Sequence, residues 1–262
     1  MSYQLFQPLF FLRRPCDYIS YVNRSLKASY LFYFVLIMSI VPLEGWAKNT
    51  SQIYINDVLQ EVRWNDGDSF KIISGKHKGQ RARLMGYNTL ESYGPVHKWK
   101  EWSAWGLYRI AKDAKNIAIK QVWHCKAQDK RDHYGRLLLR CPDLIAAMVS
   151  SGYGHLFEVL EKADPKHLLL QQKAIKEKKG MWAKGAPNFL VSSIHSTSEN
   201  DQKQAYNRIV NLQTGSADKA LHTKEYKVCE WVCVKEGDSC MLYVPFKQRY
   251  GDRKPSCLKW SR

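Results

Sequence analysis

From residue 53 the chain mixes apolar and polar positions, and residues 53–62 predict an extended segment. Asn65, Asp66, Gly67 and Asp68 follow as a turn of the kind that joins two strands. Segments 69–74 and 80–87 are strand-like, with a turn at 75–79 between them. In the second, Arg81, Arg83 and Met85 alternate with Ala82, Leu84 and Gly86. That period of two gives one polar-leaning face and one small or apolar face. Residues 88–95 read as a loop.

The period lengthens over 98–116, where Trp102, Trp105, Ile110 and Ala114 recur at helical spacing. Those spacings favour core positions for Trp102 and Trp105. Segments 117–125 and 136–141 predict two strands joined through a polar turn at 129–135, a hairpin. A short helix over 144–151 is ended by Gly152. Asp164 and Pro165 open another, because Asp caps free backbone N–H groups and Pro suits the first turn. It stops at Gly180. After Phe189 the pattern fades. Residues 192–219 are rich in Ser, Asn, Gln and Thr and predict a linker. Strands followed by helices predict an α+β design, a small barrel or curled sheet with helices packed on it.

The first 47 residues stand apart. Arg13, Arg14, Arg24 and Lys27 form a positive leader, and an apolar run covers 30–43. Gly45 and Ala47 then place small residues before Lys48, which is the pattern of a cleaved signal peptide. The competing reading is an uncleaved membrane anchor. Four units are therefore expected: a signal peptide at 1–47, a main domain at 48–189, a polar linker at 190–222 and a Cys-rich module at 223–262. Secretion or export to the periplasm follows from that leader.

Charge changes the picture next. Forty-one Lys and Arg against 24 Asp and Glu give a net charge of +17. Such an excess attracts polyanions, nucleic acid above all, and says little about fold. Beyond the leader six cysteines remain: Cys125, Cys141, Cys229, Cys233, Cys240 and Cys257. An even count in an exported chain points to disulfides. Cys125 and Cys141 lie symmetrically about His133, so paired strands place them opposite one another. Zinc is the competing reading for the last four, although their spacing lacks paired C-x-x-C knuckles.

The chemistry concentrates between residues 66 and 136. Asp66 and Asp68 sit at a turn, Asn88, Thr89 and Glu91 in a loop, and Arg83 on the strand before it. Arg136 ends a second turn, Asp132-His133-Tyr134-Gly135. Hydrolysis of a phosphodiester needs a cation on the phosphate, a group that presents water, and positive charge for the transition state. Oxygen donors of this kind suit calcium or magnesium rather than zinc.

Together these motifs resemble the staphylococcal nuclease family over about residues 58–187. Asp66-Gly67-Asp68-Ser69 is similar to that family's Asp-Gly-Asp-Thr turn. Arg83 with the loop to Glu91 is similar to its arginine strand and Asp-Thr-Pro-Glu segment, and Asp132 to Arg136 to its Asp-x-Tyr-Gly-Arg turn. The resemblance implies a five-stranded OB-type barrel with about three helices. It implies calcium held by Asp68, Asn88 and the carbonyl of Thr89, with Arg83, Glu91 and Arg136 catalytic. Tyr134 would touch substrate. It further implies endonucleolytic cutting of DNA or RNA with low sequence specificity, 3′-phosphate products and a monomer. Two departures stand out: Asn88 replaces the family's second calcium-binding Asp, and Leu90 its Pro. Asn88 keeps open an alternative, a domain that binds nucleic acid and cuts it weakly or not at all. The family's base-stacking tyrosines have no match beyond Gly152, where His155 and Phe157 stand nearby.

Overall fold

The structure, a computed structural model, describes residues 49–199, 203–234 and 239–259. The expected signal peptide and Trp260 lie outside those residues. Residues 48–262 form one compact unit. Among the described residues no helix is long and apolar enough to cross a membrane.

Its centre is a closed barrel. The strands are β1 (Thr50–Ile55), β2 (Val58–Trp64), β3 (Ser69–Ile72), β4 (Arg81–Leu84), β7 (Trp123–Arg131) and β8 (Leu137–Arg140), in the order β1-β2-β3-β4-β8-β7. The barrel thus has six strands rather than five. It closes through a parallel pairing of β1 with β7, and β4 pairs in parallel with β8. Alternation makes the core: Gln60, Val62 and Trp64 of β2 are buried while the residues between them are exposed. Ile53, Ile55, Phe70, Ile72, Leu84 and Leu139 complete the interior with them.

Three helices pack outside: α1 (Ala104–Ile119), α2 (Pro142–Ser151) and α3 (Pro165–Lys176). Ser103 caps α1 through the N–H of Gly106, and Asp164 caps α3 through that of Lys166. Gly152 ends α2 in the left-handed region, φ 71°, where glycine carries no steric penalty. α1 begins later than its sequence pattern because 97–99 form strand β6 (His97–Trp99). It also continues through Ile119, so β7 starts at Trp123 and not near 117. Trp105 is exposed rather than buried in the core, stacked on Tyr108 at 5.5 Å.

The C-terminal third corrects two expectations. The stretch expected as a linker is an antiparallel sheet of β10 (Phe189–Ser193), β11 (Ala205–Asn211) and β12 (Ala217–His222). Leu190, Val210 and Leu212 join Trp99, Leu107 and Trp182 in a second core. Nor is the Cys-rich tail a separate module. Its hairpin, β13 (Trp231–Cys233) and β14 (Ser239–Leu242), pairs through β14 with β6, just beyond the loop that carries Glu91. Cys125–Cys141, Cys229–Cys257 and Cys233–Cys240 are disulfides. No tail cysteine is left for zinc.

Candidate active site

The turn between β2 and β3 is built by Asp66. Its Oδ1 accepts the N–H of Asp68 at 3.1 Å and the hydroxyl of Ser69 at 2.8 Å. Gly67 is needed for space. A Cβ there would lie 2.6 Å from the Thr89 methyl and 2.9 Å from Ala114 Cβ. The hydroxyl of Tyr87 donates to the Gly67 carbonyl at 2.6 Å and ties the turn to β5 (Gly86–Asn88). Asp68 therefore points inward and is 3% exposed. Its Oδ2 accepts both the N–H and the hydroxyl of Thr89 at 2.8 Å.

Arg83 comes from the polar face of β4. One terminal nitrogen donates to Asp68 Oδ1 and the other to Asn88 Oδ1. One guanidinium thus bridges two of the expected calcium ligands. Burial works against that charge, but Asp68, Asp66 and Glu91 outweigh it and hold Arg83 above its ordinary pKa. The carboxyls are shifted upward as well, which in their case disfavours the charge. Burial and then Asp68 push Asp66 well above the carboxylate range. The same two causes raise Glu91, against the opposing charges of Arg249, Arg83 and Arg136.

Arg136 is placed by the β7–β8 turn. Asp132 Oδ1 accepts the N–H groups of Tyr134 and Arg136 at 2.9 and 2.8 Å, and its Oδ2 accepts Arg136 Nε at 2.6 Å. Partial burial opposes the charge of Asp132, but the bonds from Arg136 lower its pKa overall. Gly135 closes the turn at φ 71°. Tyr134, 67% exposed, lies under the Arg136 guanidinium at 5.5 Å. The Cys125–Cys141 disulfide staples the strands that carry this turn, as their symmetry about His133 suggested.

These pieces meet in one cleft of about 520 Å³. Asp66, Asp68, Arg83, Thr89, Glu91, Tyr134 and Arg136 all line it. Asn88 stands behind Arg83, buried, on the β5 strand that pairs with β9 (His155–Phe157). His155 is buried in that pairing and is no platform for a base. The remaining lining includes residues that sequence reasoning missed: Tyr93, and from the tail Phe246, Arg249 and Tyr250. The one signal for them was the run Phe-Lys-Gln-Arg-Tyr at 246–250, aromatic and basic together.

A six-stranded OB-type barrel with two arginines and several carboxylates converging beside one wall defines a class of small barrels with a polyanion-suited cleft. Residues 81–184 match the family described as Staphylococcal nuclease homologue, the same family that the motifs of the sequence resemble. No curated protein matches the chain at a significant level.

Proposed function

We propose that the protein is an exported, calcium-dependent endonuclease that hydrolyses DNA or RNA with little regard for sequence and leaves 3′-phosphates. The observation that carries this reading is the meeting of Arg83, Glu91 and Arg136 in one cleft. Arg83 and Arg136 grip the phosphate and take up the charge that grows on its oxygens. Glu91 orients the attacking water and accepts its proton, a role helped by burial and then Asp68, which raise its pKa above the ordinary glutamate value. Tyr134, at the mouth, contacts the terminal phosphate or a sugar. Phosphate contacts hold the chain in place without reading bases, which accounts for low specificity. Three disulfides and the leader pattern support export, and the single compact unit is proposed to act as a monomer.

The donor set fits a hard cation. Among the described residues no three His, Cys, Asp or Glu gather as a metal site, but Asp68 and Asn88 both direct an oxygen at one cationic group, Arg83. Asp68, Asn88 and the Thr89 carbonyl would hold calcium. Bound there, the ion would neutralise and polarise the phosphate. The test is cutting of plasmid and of RNA with calcium, then with a chelator. Calcium-dependent cutting that is lost in Glu91→Gln is expected. Intact substrates that still shift on a gel would instead support the second reading, a binding domain, which Asn88 favours by removing one negative charge.

A further inference from the structure

The chain beyond β14 returns to the cleft. Leu242 donates its N–H to Val96 at 2.9 Å, and residues 246–248 form one turn of 3₁₀ helix. Arg249 Nε donates to the Val244 carbonyl at 2.9 Å. Its stem packs on Gly94, where a Cβ would come within 2.9 Å of Arg249 Cδ, and Gly94 itself sits at φ 99°. Cys229–Cys257 ties the far end of this segment to Cys229, whose N–H bonds the Tyr243 carbonyl at its near end at 2.9 Å. The result is a third arginine whose charge acts on Glu91.

Beside it stand aromatic rings. Phe246 is 65% exposed and Tyr250 48% exposed, their centroids 5.7 Å apart, with Tyr93 6.5 Å beyond. The neighbouring cations crowd one another. Lys112 lies over Tyr93 at 4.1 Å and feels the repulsion of Lys254, and Lys115 that of Lys112. An aromatic pair flanked by positive charge, continuous with the phosphate cleft, suits a polyanion whose bases are free to stack. Only a single strand offers both.

We propose that residues 246–254 form a second wall of the substrate groove, with Arg249 on a phosphate next to the scissile one and Phe246 and Tyr250 stacked on bases of a single strand. This wall lies outside the matched residues 81–184 and rests on the nuclease reading of the cleft.

Binding of a labelled single-stranded oligonucleotide, and of the duplex of the same sequence, is measured by anisotropy in chelator. Cutting is measured in parallel with calcium. Joint replacement Phe246→Ala with Tyr250→Ala is expected to weaken single-strand binding roughly tenfold or more and duplex binding much less. Arg249→Ala is expected to lower the slope of log affinity against log salt by roughly 0.7, the share of one phosphate on a single strand. Both changes are on exposed or half-exposed side chains, and unchanged thermal midpoints check the fold. Single-strand binding that survives in the aromatic variant, or an equal loss for duplex, overturns the wall. Wild-type protein that binds through the wall without cutting sinks the nuclease reading alone. Wild-type protein that neither binds nor cuts sinks both.

Discussion

The guanidinium of Arg83 is ion-paired with the carboxylate of Asp68. Its second terminal nitrogen reaches Asn88. Arg83 therefore neutralises the site from inside, and under the proposed function it would have to release those oxygens for calcium to be held by them. An Asn at 88 gives calcium one charge less to work with. Asn88→Asp is expected to lower the calcium concentration for half-maximal cutting by about tenfold, equivalent to about 1.4 kcal/mol. A calcium titration of wild type and variant reads this directly. An unchanged titration would remove Asn88 from the ligand set.

Arg136 differs from Arg83 because it stands on a turn, where Asp132 pairs with it and the Tyr134 ring lies under it. Arg136→Ala is expected to reduce kcat roughly 100- to 1,000-fold, the loss typical of one donor to transition-state charge. The fold should hold, since the side chain belongs to an exposed turn and joins none of the buried clusters of the core. Arg136→Lys should recover only part of the rate, because lysine cannot offer a planar two-point grip. Full rescue by lysine would reduce Arg136 to a general electrostatic role.

Gly67 gives a separate check on how Asp68 is placed. Gly67→Ala drives a methyl into Thr89 and Ala114. The expected cost is about 1–3 kcal/mol, with a large loss of activity because Thr89 orients Asp68. Chemical denaturation and a cutting assay measure the two effects. Native activity in the variant would show that the turn has more room than the structure gives it.

The two tail disulfides should differ in worth because they close loops of different length. Cys229–Cys257 spans 28 residues and Cys233–Cys240 spans 7. By loop entropy their removal costs about 3–4 and about 2 kcal/mol respectively. Paired Cys→Ser variants compared by denaturation test that ranking. The longer bridge also clamps the groove wall, so its removal should weaken single-strand binding, while the shorter one should leave it near wild type. The reverse order would mean that the hairpin, not the clamp, positions 246–250.

What could be read from the sequence was local. The Asp66–Asp68 turn, the alternation around Arg83 and the symmetry of Cys125 and Cys141 each lie within a short span, and the structure brings them together as expected. Expectation failed where distant chain decides. Lys98 and Trp99 carry a helical pattern but form a strand with His97, because β14 pairs with them from far along the chain. Segment 205–222 looks like a linker because β11 and β12 are half-solvated and need few apolar residues. The charge of Arg249 acts on Glu91 only because of that same tail pairing, and its one local sign is the aromatic and basic run at 246–250.

His97 makes the last prediction. It is buried on β6, and neither ring nitrogen has a hydrogen-bond partner. Burial, and then the charge of His155, lower its pKa to about 3 from 6.5. The unfolded chain therefore takes up a proton below about pH 6.5 that the folded chain refuses until about pH 3. Stability is full above pH 6.5 and falls as pH drops through that window, by up to about 1.4 kcal/mol per pH unit for one proton. His155, lowered to about 4, acts in the same direction. Replacing His97 with Leu keeps an apolar filling and removes one titrating group, so the unfolding free energy should fall less steeply between pH 6.5 and 4 than in the wild type, while Asp66, raised to about 7, acts in the opposite direction in both proteins. Denaturant titrations at several pH values measure both slopes. An identical acid limb in the variant would mean that His97 is protonated, or reached by water, in the folded state.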